Sequence, residues 1–339
     1  MTDTDRTAGA APPGRWGILG RGLAATSAAI DHARDVWADF WHTPVRAERL
    51  AAVRILLGFS LLTELLFEQL PSFELLYGPR GVSPAGLHDA GNLADWYWPA
   101  LLYGGDDLRV LYTLFGLWVA AAACLTLGFF TRISAIAAWL LTFRFQRFCP
   151  VALDGADDTL MAALFLLMIA PCGQALSIDA WRRRRSRSAD DLADGPPMGP
   201  AWPVRLFQIQ VAVIYLSTGL AKTRGYGLFE GTWWDGTSVH YALNYVWMSR
   251  WSYAQWPLPL WVTAPLTYGA LAWEIAFPVL VLFRRTRALT LWGGVLLHLG
   301  IWATLEVGWF GWHTVAMYGV WLPAWLFDRL GSGTRKSAG

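Results

Sequence analysis

The chain has 339 residues, of which 55% are hydrophobic and only 15% are charged, and it contains 22 tryptophans. Soluble domains carry about a quarter charged residues, so this composition excludes an ordinary soluble protein and indicates an integral membrane protein. A net charge of +2 is too small to support binding to nucleic acid, and the three widely separated cysteines predict neither a disulfide framework nor a zinc site.

Residues 1–47 are predicted to form a cytoplasmic tail that contains an interfacial amphipathic helix between Ala24 and Trp41. Apolar side chains recur there on one side at helical spacing and aspartates occupy the other side, as in helices that lie on a membrane surface. A frayed tail is the alternative. The apolar side holds Ile30, Ala33, Trp37 and Trp41, and the acidic side holds Asp31, Asp35 and Asp39.

Apolar segments then follow one another, each close to the roughly 20 residues that a helix needs to cross a bilayer core. The sequence therefore predicts an all-α fold, a polytopic membrane helix bundle of about eight transmembrane helices, over residues 48–328. The predicted spans are 48–69, 107–129, 132–149, 157–178, 203–224, 261–283, 287–304 and 307–327.

The placement of arginine predicts the orientation of these spans. Most of the 27 basic residues fall in segments that lie on one side of the bundle if the chain crosses the membrane an even number of times. By the positive-inside rule this side faces the cytoplasm, and both termini are cytoplasmic. A polar, arginine-rich linker at 181–201 separates two halves of the bundle, and 329–339 form a C-terminal tail. The expected location is the cytoplasmic membrane of a bacterium.

Two long outer loops, 70–106 and 225–260, are rich in tryptophan and tyrosine, side chains that favour the headgroup level of a membrane. They are the outer segments long enough to cover a cavity. Acidic pairs stand at the outer starts of the second and fourth spans, at Asp106–Asp107 and Asp157–Asp158. Helix capping and the helix dipole account for both pairs, and calcium binding is the weaker alternative.

Lysine occurs twice, as Lys336 in the terminal tail and as Lys222 at the end of the fifth predicted span. Gln208, Tyr215 and Thr218 share a helix face with Lys222, so this face is predicted to line an inward pocket. A desolvated lysine can lose its proton and act as a base, whereas arginine cannot. The alternative is a lysine that extends from a helix end to the membrane surface.

Two histidines lie at equal distances from the turn at Leu305–Glu306, so His298 and His313 are predicted at one depth, roughly 10 Å below that turn. With Lys222 they form a candidate proton-handling cluster, although a packing histidine with a single hydrogen bond is the favoured interpretation of each histidine taken alone. Two histidines without a third ligand do not make a metal site. Glu274 in the sixth span is predicted to pair with Arg54 as a structural ion pair, with a proton relay as the alternative.

Several segments, taken in order, resemble the HTTM (horizontally transferred transmembrane) family, which contains the membrane domain of vitamin K-dependent gamma-carboxylase. The resemblance covers most of residues 45–328. It is carried by Gln208-Ile209-Gln210, Ile214-Tyr215, Gly219-Leu220-Ala221-Lys222, Trp234-Asp235-Gly236-Thr237, His240-Tyr241-Ala242-Leu243, Trp273 to Pro278, Leu297-His298 and Val307 to Phe310.

The resemblance implies that Lys222 is a catalytic general base that acts on a reduced quinone at the outer side of the membrane. It also implies that Trp234 and His240 belong to the substrate pocket. The chain departs from the carboxylase at 154–159, which holds acids and no histidine, and it is expected to lack a counterpart of the large luminal domain. Quinone-linked oxidation is therefore expected rather than glutamate carboxylation.

A different role is implied by family members that resemble the sporulation-delaying toxin system. In that role the chain would be a non-catalytic maturation or scaffold protein for a secreted peptide, with a small soluble partner. The expected partners are thus membrane lipid, a quinol, and a secreted peptide or small soluble protein.

Overall fold

The structure, a computed structural model, describes residues 15–82, 107–149, 152–186, 195–224, 231–252 and 255–329, with side chains from residue 28 onward. It is mostly helical. The longer helices are α1 (Arg15–His42), α2 (Glu48–Glu64), α4 (Leu108–Leu127), α5 (Thr131–Phe148), α6 (Gly155–Ile169), α8 (Ala201–Thr223), α11 (Leu260–Leu280) and α12 (Arg284–Thr304). The shorter ones are α3 (Phe73–Tyr77), α7 (Ile178–Arg185), α9 (Thr232–Asp235), α10 (Ser238–Asn244) and α13 (Phe310–Ala316).

Among the described residues, three helical segments are long and apolar enough to cross a membrane: Glu48–Gln69, Leu108–Leu127 and Ala201–Thr223. The first combines α2 with a π-helical segment, Leu65–Gln69, that continues it. These three match the predicted first, second and fifth spans. The count of about eight spans and the cytoplasmic placement of both termini stay predictions.

Two predicted spans are interrupted in the structure. The fourth, predicted over 157–178, is helical only to Ile169, and the turns after it contain Pro171. The eighth, predicted over 307–327, consists of α13, a 3-10 segment over Met317–Trp321, and helical residues 324–329 after Pro323. Proline lacks an amide proton and disfavours helical backbone in the residue before it, so both interruptions follow from the sequence.

Three chain segments meet at one end of the bundle. The strand β1 (Val45–Arg46) pairs antiparallel with β2 (Met198–Gly199). The Arg46 guanidinium binds Asp328 at 2.7 Å and Glu48 at 2.7 Å. The chain therefore enters the bundle before α2 and leaves it after the last helical turn at the same end.

The segment Glu48–Gln69 is the centre of the core. Of the 18 residues in its apolar stretch, 61% are buried, against 33% for each of the other two candidate spans. Leu57, Leu61 and Leu65 are fully buried along it. Aromatic rings pack beside it, with the rings of Trp118 and Phe145 stacked at a centroid distance of 4.7 Å. This central position explains why polar groups on the first span are enclosed.

The first acidic pair caps its helix as predicted, whereas at the second pair the cap is a residue outside the pair and only Asp157 takes part. The Asp107 carboxylate accepts the amide proton of Arg109 at 2.8 Å. At α6 the cap is Asp154, which accepts from the Ala156 amide at 2.6 Å, while Asp157 accepts from the Asp154 amide at 2.9 Å. Asp106 lies outside the described residues.

The predicted N-terminal helix is present and longer than expected, since α1 runs from Arg15 to His42. Trp37 is 66% exposed, and Trp41 packs edge-on against Trp37 and Phe40. Arg205 of α8 donates to the Phe40 carbonyl at 3.2 Å, so the end of α1 is attached to the bundle. Its location on the inner membrane surface stays a prediction.

The predicted pair between Arg54 and Glu274 is wrong. Arg54 is fully buried and donates to the carbonyl oxygens of Leu176 at 2.5 Å and Cys172 at 3.5 Å. These carbonyls lie in the turns after α6, where no further helical turn supplies amide donors. Arg54 thus holds these turns against α2, and Glu274 has a different cation as its partner.

Candidate functional site

The candidate site begins where helices α8 and α11 approach closely at Gly219. A Cβ atom placed on Gly219 would lie 2.9 Å from Cγ1 of Ile275 and 3.3 Å from Cβ of Glu274. The missing side chain at Gly219 therefore lets the two helix backbones come together. One turn further along α8, this approach brings the Lys222 side chain onto the carboxylate of Glu274.

Lys222 and Glu274 form a two-pronged ion pair. The Lys222 Nζ atom lies 2.6 Å from each carboxylate oxygen of Glu274. The two side chains are 22% and 11% exposed, so the pair is partly buried yet reachable from outside the core. A short contact to both oxygens in a partly buried site stabilises the ammonium and the carboxylate together.

Aromatic and polar residues of the neighbouring segments surround this pair. The Lys222 ammonium lies 4.9 Å from the ring centre of Trp233. The predicted pocket residue Trp234 is 63% exposed, and its indole donates to the Thr223 carbonyl at 3.0 Å. Thr218 donates to the Tyr215 carbonyl at 3.1 Å on the side of α8 that faces Glu274.

Two turns before Lys222, Tyr215 forms the centre of a buried hydrogen-bonded chain. Its hydroxyl lies 2.7 Å from Nε2 of His298 and 2.6 Å from the hydroxyl of Tyr318. Trp273, the residue before Glu274, packs edge-on against the Tyr215 ring at 4.6 Å. The chain of Tyr318, Tyr215 and His298 is thus packed directly behind the Lys222–Glu274 pair.

One ring nitrogen of His298, Nε2, takes part in this chain of hydrogen bonds. The other, Nδ1, lies beside a groove between α12 and α13. Within the described part of the chain, Nδ1 of His298 has no hydrogen-bond partner. A Cβ atom on Gly311 would lie 3.0 Å from that nitrogen. The groove encloses about 40 Å³, which holds about two water molecules. Its lining is mostly apolar and includes Val295, Leu299, Trp302, Phe310 and Trp312.

His313 belongs to a second, separate cluster. Its Nδ1 atom lies 3.0 Å from the hydroxyl of Ser60, and its Nε2 atom lies 3.0 Å from a carboxylate oxygen of Glu64. The three residues are buried, with His313 fully enclosed. The predicted cluster of Lys222 with both histidines is therefore divided, since His298 faces Tyr215 on α8 whereas His313 faces α2.

Two further predicted pocket residues are Gln208 and His240. Gln208 accepts a hydrogen bond from Arg205 at 3.0 Å near the start of α8, about 21 Å along the helix from Lys222 at 1.5 Å per residue. Its placement in the pocket is therefore wrong, because a shared helix face does not mean a shared depth. His240 is half-buried in α10, with its ring edge-on to Tyr241. Its role in the pocket stays a prediction.

Several residues at these clusters were missed from the sequence. Glu64 is an ionisable residue inside an apolar span, which was a usable signal. Ser60 lies one turn before Glu64 on the same face, but a serine in a membrane helix is common and gives little signal. Tyr318 and Trp233 are aromatic residues in an aromatic-rich chain, so nothing in their sequence context separates them from packing residues.

Fold and site together define an integral membrane protein whose ionisable groups are gathered inside a helical bundle. The chain belongs to the HTTM family, because the HTTM domain matches residues 106–325. The matched region contains Lys222, Glu274, His298 and His313, whereas Ser60 and Glu64 precede it. Neither the curated proteins nor the solved structures that were compared with the chain give a match.

Proposed function

We propose that this HTTM-family protein is a membrane enzyme that removes a proton from an acidic, lipid-soluble substrate, such as a reduced quinone, at the outer face. The observation that carries the proposal is the contact of Lys222 with both carboxylate oxygens of Glu274 at 2.6 Å. A partly buried pair of ionisable residues inside a membrane bundle is a candidate site for proton transfer.

The contact supports Glu274, rather than Lys222, as the proposed base within the pair. The sequence predicted an uncharged Lys222 as the base, but an amine held between two carboxylate oxygens is favoured as an ammonium, which has no lone pair. In our proposal the oxygens of Glu274 accept the proton. The O–H bond of the substrate breaks, an O–H bond forms on Glu274, and the electron pair stays on the substrate oxygen. The Lys222 ammonium stabilises that negative oxygen. In our proposal dissolved O2 then takes two electrons and the remaining hydroxyl proton from the quinol anion, which leaves as the quinone, and is itself reduced to hydroperoxide.

The residues around the pair are compatible with an aromatic substrate. Trp233 lies against Lys222 at 4.9 Å, and Trp234 is 63% exposed beside it. Both indoles present flat apolar surface next to the charged groups, as ligand sites with a few placed polar groups do. A reduced quinone, when bound, would supply the acidic hydroxyl group. Trp233 and Trp234 would hold its ring, while Lys222 and Glu274 would face the hydroxyl.

The test uses the full-length protein in lipid nanodiscs and measures oxygen consumption driven by a reduced naphthoquinone. Glu274→Gln and Lys222→Ala are expected to lower the rate by at least ~100-fold, the lower range for loss of a general base. Lys222→Arg keeps the positive charge and is expected to retain part of the rate. Lys336→Ala, which changes the other lysine of the chain, is the matched control and should keep the full rate.

Two results would contradict this proposal. If Glu274→Gln is active and Lys222→Arg is inactive, the base is the lysine and not the carboxylate. If the wild-type protein consumes no oxygen with reduced benzoquinones or naphthoquinones, the quinone is the wrong substrate class.

A second candidate function is maturation or scaffolding of a secreted peptide together with a small soluble partner. Val246 and Trp247, directly after α10, favour it because they are 88% and 84% exposed. Adjacent exposed apolar residues are typical of interaction sites. In this case folded variants of Lys222 and Glu274 would keep peptide maturation, whereas a Val246→Ser, Trp247→Ser double variant would lose it.

A further inference from the structure

A shallow pocket lies at the end of the bundle opposite Lys222, between the start of α5 and helix α7. It has a volume of about 390 Å³ and is lined by Phe130, Thr131, Arg132, Ile133, Asp179, Arg182 and Arg183. This volume falls within the range of about 300–1,000 Å³ that small-molecule sites occupy. The three arginines give the pocket a positive charge, which one carboxylate offsets in part.

The carboxylate of Asp179 is directed away from a ligand, because its oxygens bind the start of α5. It accepts from the Phe130 amide at 3.0 Å, and from the amide and hydroxyl of Thr131 at 2.7 Å each. Asp179, on the neighbouring helix α7, thus caps α5 and holds the lining residues Phe130 and Thr131 in place. An anion in the pocket would meet guanidinium groups rather than the acceptor oxygens of Asp179.

Two of the three arginines are held in place before any ligand binds. Arg183 donates to the Gly173 carbonyl at 2.6 Å, and the Arg182 guanidinium lies 5.8 Å from the ring centre of Phe130. Ordering a flexible side chain is one of the costs of binding, so these contacts lower that cost. Guanidinium groups also match phosphate oxygens in a two-pronged geometry.

The position of the pocket favours a lipid over a soluble anion. It begins three residues after the end of the candidate span Leu108–Leu127, which is the level of a membrane surface. Phe130 and Ile133 at its rim are 53% and 66% exposed, and Trp181 on α7 is 53% exposed. These apolar surfaces can contact acyl chains while the arginines face a headgroup. The positive-inside rule places this end in the cytoplasm.

We propose that the pocket formed by Arg132, Arg182 and Arg183 binds the phosphate headgroup of an anionic phospholipid from the cytoplasmic leaflet. Basic pockets at the cytoplasmic ends of membrane helices are suited to such headgroups. The site is separate from the Lys222–Glu274 pair, and its role is lipid binding rather than chemistry. The lipid-binding proposal therefore does not depend on the proposed enzymatic function.

The test measures lipid retention by native mass spectrometry on full-length protein extracted from nanodiscs of phosphatidylcholine with phosphatidylglycerol. Arg132→Gln, Arg182→Gln and Arg183→Gln are each expected to weaken phosphatidylglycerol binding roughly five-fold. Arg184→Gln on the same helix and Arg284→Gln at the start of α12 are matched controls that remove the same charge outside the pocket. They are expected to keep wild-type retention. Circular dichroism confirms that each variant is folded.

Three outcomes would overturn the proposal. Equal loss in the controls would show that general surface charge, and not the pocket, attracts the lipid. Full retention in a variant that combines Arg132→Gln, Arg182→Gln and Arg183→Gln would show that the lipid binds elsewhere. Displacement of the lipid by inorganic phosphate would show that the site takes a soluble anion. Ile133→Ser keeps every charge and is expected to reduce lipid retention, which a soluble-anion site would not do.

Discussion

The Lys222–Glu274 pair and the His313 cluster use similar chemistry in different surroundings. Each joins a nitrogen to a buried glutamate, at 2.6 Å in the first and 3.0 Å in the second. The side chains of Lys222 and Glu274 are 22% and 11% exposed, whereas those of His313 and Glu64 are 1% and 9% exposed. Both ring nitrogens of His313 have partners within the core, so no position is left for a substrate.

The difference distinguishes an accessible pair, at which we propose substrate chemistry, from an enclosed cluster that supports the fold. Lys222 lies at a helix end beside the segment of Trp233, whereas His313 joins the central helix α2 to α13. A fully enclosed polar cluster stabilises one packing arrangement because every member loses its partner if the helices separate. Removal of a member of the Lys222–Glu274 pair is therefore expected to abolish activity. Removal of a member of the His313 cluster is expected to lower stability and leave the activity of the folded protein intact.

The largest expected effect on stability comes from removing one member of the Lys222–Glu274 pair. Glu274→Leu leaves the Lys222 ammonium without its partner and is expected to cost about 3–5 kcal/mol of stability. Lys222→Met likewise leaves the Glu274 carboxylate without its cation and is expected to have a similar cost. The Lys222→Met, Glu274→Leu double variant restores an apolar contact and should recover most of the stability, but none of the activity. A double variant that recovers neither would indicate that the pair is needed for folding.

At the enclosed cluster, His313→Ala is expected to lower the free energy of unfolding by about 2–3 kcal/mol. It removes the partner of Ser60 and the closer partner of Glu64, whose buried carboxylate then keeps only the longer bond from the Gln69 amide at 3.4 Å. Unfolding by denaturant in detergent measures the loss, and oxygen consumption is then scaled to the folded fraction. The scaled rate should stay near that of the wild type. A scaled rate reduced a hundredfold would instead make His313 part of the catalytic site.

The chain of Tyr318, Tyr215 and His298 lies behind the pair, so its loss tests how far the site extends. Tyr215→Phe removes the hydroxyl that contacts both neighbours and is expected to cost about 1–2 kcal/mol. Tyr318→Phe leaves the contact between Tyr215 and His298 and serves as the milder control. If Tyr215→Phe also changes the pH dependence of the rate and Tyr318→Phe does not, the chain takes part in proton transfer. An unchanged pH profile in both variants restricts it to support of the fold.

The smallest effect is expected at Asp179, a carboxylate outside both clusters and outside the predicted spans. Partial burial raises the pKa of Asp179, but hydrogen bonds from Thr131 and Phe130 outweigh it and hold that pKa below its ordinary value. The stability that Asp179 adds is therefore present above the unfolded-state pKa, 3.8, and is lost as the pH falls through the lower folded value. Asp179→Asn should cost about 1 kcal/mol near neutral pH.

Melting temperatures of the wild type and Asp179→Asn, measured from neutral pH down to about pH 3, check this prediction, since free aspartate has a pKa of about 3.9. The gap between the two proteins should narrow below that pKa. A gap that stays constant over the whole range would mean that the Asp179 contacts do not depend on its charge.

The sequence predicted the mostly helical membrane class and the family, and it drew attention to ionisable and polar residues without revealing their partners. Lys222, Tyr215, Thr218, His298, His313 and Glu274 all lie in buried or partly buried polar contacts. The predicted partners were less accurate, since Glu274 binds Lys222 and not Arg54, and Gln208 lies at the far end of its helix. Spacing along a helix fixes a face and a depth, but the neighbour on that face depends on how helices pack.

Composition and the order of apolar and basic segments were enough to determine that this chain is a helical membrane protein, because each segment must satisfy its own backbone in a bilayer. Ionisable residues stand out in such a chain, so Lys222 and Glu274 were each visible alone. Only the tertiary structure decided that they meet, through the close approach of two helices at Gly219, and that His298 and His313 face different helices. The rotation of each helix is set by packing against all its neighbours, and no single segment encodes that packing.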